Sequence, residues 1–166
     1  MLIRDETPAD QRAIFDLTEI AFAPMAFSDG TEQFISDRLR EDGDLTLSLI
    51  AEDGGTIVGH AAFSPVTIGS TQGGWYGLGP ISVAPDRQLG GIGSALIEAG
   101  LARLRDMGAA GCALVGNPDY YHRFGFRSGS VSYRETPIQY VHALAFDGPA
   151  PQGEIAFAPA FNIEAP

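Results

Sequence analysis

The stretch Ile81-Ser82-Val83-Ala84-Pro85-Asp86-Arg87-Gln88-Leu89-Gly90-Gly91-Ile92-Gly93-Ser94-Ala95-Leu96 decides how this chain reads. An apolar run ends at a proline, a glycine-rich turn follows, and helical spacing of apolar residues begins at Ile92. Glycines at 90, 91 and 93 let the backbone come close to a ligand, and the helix that follows offers unpaired N–H groups and the positive end of its dipole. Such a strand–turn–helix junction is a cradle for anions, phosphates above all.

The flanks extend the pattern. Trp75 to Val83 reads as one apolar strand, interrupted by Gly77, Gly79 and Pro80, which predict a bulge or splay. The helix opened by the turn is predicted to run to about Met107, with Ile92, Ala95, Leu96, Ala99 and Ala102 on one face and Gly108 as its C-cap. Gly111 to Gly116 follows as a short buried strand, then a helical turn through Asp119-Tyr120-Tyr121-His122-Arg123. Strands are expected at 138 to 146 and 153 to 158.

Upstream, residues 2 to 6 predict a first strand, and Thr7-Pro8-Ala9-Asp10 carries the N-cap, N1 proline and acidic first turn of a helix reaching Phe22. A second helix is expected over Glu32 to Arg40. Leu45 to Glu52 and Thr56 to Val66 are β-rich and joined by Asp53-Gly54-Gly55, a hairpin signal that makes them antiparallel neighbours. Residues 67 to 74 read as a polar connection. The sum is a mixed α/β sheet with helices on its faces, in a single domain spanning 1–166.

Charge and cysteine content narrow the function. Ten basic against 21 acidic residues give a net charge of −11, which disfavours nucleic acid and anionic lipid and favours amines as partners. A polyanionic ligand must then be held by short-range donors such as the turn at 89 to 94. Cys112 is the one cysteine, so an internal disulfide and a multi-cysteine metal site are both excluded, and a reducing cytoplasm is the expected compartment. No run approaches the roughly 18 apolar residues of a membrane span.

Two separated segments resemble the GNAT superfamily of acyl-CoA N-acyltransferases. Gln88-Leu89-Gly90-Gly91-Ile92-Gly93 matches Gln/Arg-x-x-Gly-x-Gly/Ala, and Asn117 with Tyr121-His122-Arg123-Phe124-Gly125-Phe126 is similar to the family's Asn and Tyr-x-x-x-Gly-Phe. Ile3-Arg4 with Ala9-Asp10 and Val58-Gly59-His60 also look like this family, so the similarity covers roughly residues 1 to 130 and weakens over the strands of 131 to 160. The resemblance implies a stand-alone bacterial-type N-acetyltransferase on a mixed, mostly antiparallel central sheet with a splayed strand pair and helices on both faces.

What the resemblance carries over falls on particular residues. Backbone amides of Gln88, Leu89, Gly90, Gly91, Gly93 and Ser94 would hold the diphosphate of acetyl-CoA, and Ile81 and Val83 would pair with the pantetheine amides. Asn117 corresponds to a residue at the pantetheine, and Tyr121 to the general acid, with Tyr120 as its competitor. Relatives often carry Lys or Arg where Gly90 stands, so Arg123, or failing it Arg87, is expected to supply the missing phosphate contact. The resemblance calls for no metal, and it is compatible with a homodimer.

The reaction implied is direct acetyl transfer from acetyl-CoA to a primary amine, on a small molecule or a peptide, through a tetrahedral intermediate. A phenol with an ordinary pKa near 10 is protonated at neutral pH and can protonate the departing thiolate. Residues 75 to 83 contain no Asp, Glu or His, which leaves Glu32, His60 and His142 as bare candidates for the base. Cys112 reads as structural, as do Tyr120, Phe124 and Phe126 as an aromatic cluster. The competing reading is a non-catalytic acyl-CoA-binding or regulatory module that keeps the cradle.

Overall fold

The structure is a computed structural model that describes residues 1–164. Strands β1 (Leu2–Asp5), β2 (Leu47–Asp53), β3 (Thr56–Pro65), β5 (Trp75–Val83), β6 (Gly111–Val115) and β8 (Val141–Ala145) form a six-stranded sheet in the order β1-β2-β3-β5-β6-β8. The pairs β1–β2, β2–β3 and β6–β8 are antiparallel, and β5–β6 is parallel. The helices are α1 (Gln11–Phe22), α2 (Glu32–Asp42), α3 (Ile92–Asp106) and the single turn α4 (Pro118–Tyr121). This is the mixed, mostly antiparallel α/β sheet that the sequence predicts.

The chain gathers into two compact units. The first holds Met1–Ser64, Gly79–Gly100 and the residues from Ala158 on; the second holds Pro65–Leu78 and Leu101–Phe157. In the first unit, β3 carries helices on both faces because its side chains alternate. Gly59 and Phe63 face α3, where Ile92, Leu96 and Gly100 lie, whereas Ala62 packs with Ile35 and Leu39 of α2. Thr7 opens the route into α1 as predicted: Asp10 accepts from the Thr7 amide at 2.7 Å, and Pro8 leads a 3-10 turn. Arg4 on β1 then grips Asp10 at 2.8 Å and Glu52 at 3.2 Å, and the guanidinium holds the Asp10 carboxyl well below the usual carboxylate range.

In the second unit a core of Val66, Ile68, Trp75, Ala113, Val141 and Ile155 lies between the β6–β8 ladder and a small three-stranded sheet. That sheet is β4 (Thr67–Ile68), β9 (Gly153–Ala156) and β7 (Val131–Ser132). Strand β4 replaces part of an expected polar connection, and β7 is a short strand that the sequence does not place individually. Residues 67–68 pair with 155–156, and Val131–Ser132 pair in parallel with Gly153–Glu154, each too short to show a period-2 signal. Residues 138–140, expected as the start of a strand, instead form a 3-10 turn behind Pro137.

Candidate active site

Strand β5 ends the parallel ladder early. Its register with β6 covers Trp75–Gly77 against Gly111–Ala113, although β5 runs on to Val83 and β6 to Val115. Pro80 has no N–H to give a neighbour, so the ladder lacks a donor where the sequence reads a splay. Beyond it, buried Ser82 alternates with half-buried Ile81 and Val83, and Ser82 reaches Thr18 of α1 at 3.4 Å.

The chain then enters the glycine turn through a 3-10 turn at Pro85–Arg87 that is tied to the β2–β3 hairpin. The Ala84 amide donates to Val58 O at 2.9 Å, and Arg87 forms an ion pair with Asp53 at the hairpin's tip. Gln88 reaches back to the Val83 carbonyl at 3.2 Å. Leu89 sits at φ +66° with its side chain wholly in solvent, and Gly91 sits at φ +87°. The two left-handed residues turn the chain into the start of α3. The ladder of α3 opens with Ala95 donating to Gly91 O at 3.0 Å, which puts the amides of Ile92 and Gly93 at the open end of the helix, with Ser94 in the same turn.

These predicted residues, Ile81, Val83, Gln88, Leu89, Gly90, Gly91, Gly93 and Ser94, belong to the first unit; Asn117, Tyr121 and Arg123 belong to the second. Arg87, a candidate phosphate ligand, already has the Asp53 carboxylate as counter-ion. The Arg123 guanidinium lies 4.6 Å over the Tyr120 ring.

In the second unit, Asn117 caps α4 by accepting from the Asp119 amide at 2.9 Å, and the Tyr121 amide donates to Asn117 O at 3.0 Å. Tyr121 is half-buried among Phe126, Tyr120 and Phe124, with ring centroids 6.1, 5.0 and 6.4 Å away. Burial, reinforced by Tyr120 and Cys112, pushes its phenol up to about 12. Tyr121 therefore keeps its proton throughout the physiological range. Cys112 lies fully buried on β6, where burial raises its thiol to about 12, as a structural cysteine requires.

The three candidate bases are otherwise engaged. Glu32 accepts from Ser28. His60 is fully buried with Nε2 2.8 Å from Ser48 Oγ, and burial holds its imidazole neutral down to about pH 4. His142 is buried with Nε2 3.0 Å from Gly116 O. A surface groove of about 730 Å³ involving Arg12, Phe15, Asp37 and Arg40 contains none of the predicted site residues.

His60 has a measurable consequence for stability. Its folded pKa of about 4 lies below the ordinary 6.5, so between those values the unfolded chain binds the extra proton. The contribution is complete above pH 6.5 and lost as pH falls to 4, about 3 kcal/mol in all. Urea unfolding at pH 7 and 4.5 is expected to show that loss in the wild type and a much smaller one in His60→Gln. Equal losses in both would assign the acid sensitivity elsewhere.

The chain belongs to the GNAT family: the model of the acetyltransferase (GNAT) family matches residues 12–126. It is an acetyl-CoA-dependent N-acetyltransferase of that family. Among its relatives is the uncharacterized N-acetyltransferase YhbS of Escherichia coli K12, 39% identical over 127 residues that make up 76% of this chain and 73% of YhbS. A GNAT acetyltransferase from Brucella melitensis, solved in complex with acetyl-CoA, is 49% identical with a TM-score of 0.87, over 96% of this chain and 97% of that one. YhbS from Escherichia coli in complex with CoA gives a TM-score of 0.88 at 29% identity, over 98% of this chain and 92% of that one.

Proposed function

We propose that this chain transfers an acetyl group directly from acetyl-CoA to a primary amine, with Tyr121 as general acid. The observation that carries the reading is the turn at 88–93, with positive φ at Leu89 and Gly91 leading into the N-terminus of α3, in a chain 49% identical to an acetyltransferase solved with acetyl-CoA. The diphosphate rests on the amides of Gln88, Leu89, Gly90, Gly91, Gly93 and Ser94, and the pantetheine amides pair along Ile81 and Val83. Asn117 keeps its amide NH₂ for the pantetheine because its cap uses only the side-chain oxygen. Arg123 is assigned to the phosphates in preference to Arg87.

The amine nitrogen attacks the thioester carbonyl carbon, the tetrahedral intermediate collapses, the C–S bond breaks, and the phenol of Tyr121 gives its proton to the leaving thiolate. The ammonium proton shed by the acceptor on amide formation goes to solvent, and Tyr121 recovers its own proton from there. The net charge of −11 draws cationic amines toward the protein without selecting among them, and the acceptor must then lose its proton before it attacks. The proposed compartment is the reducing cytoplasm, in keeping with one buried, unpaired cysteine.

The test is thiol release from acetyl-CoA with spermidine, tyramine, lysine amide and a peptide bearing a free N-terminus. At least one amine is expected to release thiol, with kcat/KM rising with pH as that amine loses its proton. Because the Tyr121 phenol titrates only at about 12, no falling limb is expected below about pH 10. Acetyl-CoA binding without thiol release by any amine would replace this reading with that of a binding module.

A further inference from the structure

We infer that His142, the second residue of β8, is the positioning residue for Tyr121, acting through the carbonyl of Gly116; this rests on the reading of Tyr121 as the acid. A carbonyl oxygen can only accept, so the 3.0 Å contact fixes the tautomer: His142 donates from Nε2 and keeps its lone pair on Nδ1. Nδ1 is buried and has no hydrogen-bond partner. An orphaned buried acceptor is a cost that an apolar residue of similar volume would avoid. What the imidazole supplies that Leu would not is therefore the single bond from Nε2.

That bond acts on the residue against which Tyr121 is seated. Gly116 is held twice, since its amide also donates at 2.8 Å to the carbonyl of Tyr140, the last residue of the 3-10 turn that leads into β8. A Cβ on Gly116 would lie 2.3 Å from Tyr121 Cε2 and 2.8 Å from Cδ2, so the ring edge rests directly on the Gly116 main chain. The Gly116 carbonyl belongs to the peptide that leads into Asn117, and Asn117 O in turn accepts the Tyr121 amide. His142, the Gly116 peptide, the Asn117 cap and the phenol ring thus form one continuous support. The His142 ring itself lies 6.4 Å from the Tyr121 ring and 5.6 Å from that of His122, and it makes no step of the chemistry.

Proton transfer depends steeply on donor placement, and a misplacement of about 1 Å costs on the order of 100-fold. The test is a double-mutant cycle on thiol release from acetyl-CoA, using whichever of the four amines above is fastest. His142→Leu is expected to lower kcat about 30-fold with the KM for acetyl-CoA within about 3-fold, and His142→Gln, whose Nε2 can still donate to Gly116, to recover most of the loss. In a Tyr121→Phe background His142→Leu is expected to cost less than about 3-fold, because the acid it positions is gone. If His142→Leu does not fold, Gly116→Ala displaces the ring directly and is expected to show the same kcat-only, non-additive loss.

Full additivity of the His142 or Gly116 substitution with Tyr121→Phe, or a loss equally severe in Gln and Leu, overturns the inference. So does an unchanged kcat. If Tyr121→Phe alone leaves kcat unchanged, it is the acid assignment that fails, a result distinguishable from failure of the positioning role.

Discussion

Tyr121→Phe is expected to bind acetyl-CoA as tightly as the wild type and to turn over about 100- to 1,000-fold more slowly. The substitution removes one oxygen from a ring whose packing against Phe126, Tyr120 and Phe124 is unaffected by that loss. What disappears is the proton held available at neutral pH. With the phenol raised to about 12, its deprotonated form is negligible at neutral pH, so the effect is expected to fall on kcat. Steady-state kinetics with acetyl-CoA as the varied substrate separate the terms. A loss confined to KM would make Tyr121 a binding residue and pass the acid role to Tyr120.

The second large effect is on stability. Gly100 stands in the middle of α3 on the face that meets β3, and a Cβ there would lie 2.2 Å from Phe63 Cζ and 2.5 Å from Cε2. Phe63 is fully buried, so moving its ring would disturb the core around it. Helix propensity alone would make Gly100→Ala stabilising by about 1 kcal/mol. Overpacking against a fixed ring costs about 1–3 kcal/mol, and more where the overlap is this deep. The net expectation is a loss of about 2 kcal/mol and a Tm lower by about 4–8 °C in thermal unfolding. An unchanged or higher Tm would mean that the helix shifts off β3 at little cost.

Gly100 also shows where reading the sequence stops. The period of Ile92, Ala95, Leu96 and Ala99 was enough to place the helix and its apolar face, since those positions follow from 3.6 residues per turn. Why a glycine interrupts that face depends on a ring 37 residues away in sequence, and no local pattern encodes it. The hairpin at Asp53-Gly54-Gly55, the cap at Thr7 and the early end of the β5–β6 ladder were legible for the opposite reason: each is a backbone requirement written in consecutive residues. Strands β4 and β7, two residues each, exist only because β9 lies beside them.

The candidate site divides in the same way. The turn at 88–93 and the Asn117 and Tyr121 pair were visible as residue types at fixed spacing. The pairing of Arg87 with Asp53 was not, nor the seating of Tyr121 on Gly116 beneath His142, because these contacts join residues that only tertiary folding brings together. In the sequence Gly116 is only a glycine two residues before α4; that it has no positive φ, and that its place is set by a close packing partner, comes from the structure.

The central claim is that main-chain amides at the start of α3 hold the diphosphate of acetyl-CoA, and isothermal titration of acetyl-CoA into the wild type and Gly91→Val tests it most directly. Valine cannot take φ +87° without strain, so the turn must open. The account predicts saturable binding to the wild type and at least about 10-fold weaker binding to a folded Gly91→Val. Absence of binding heat with the wild type at several temperatures, or equal affinity in the two proteins, would contradict it.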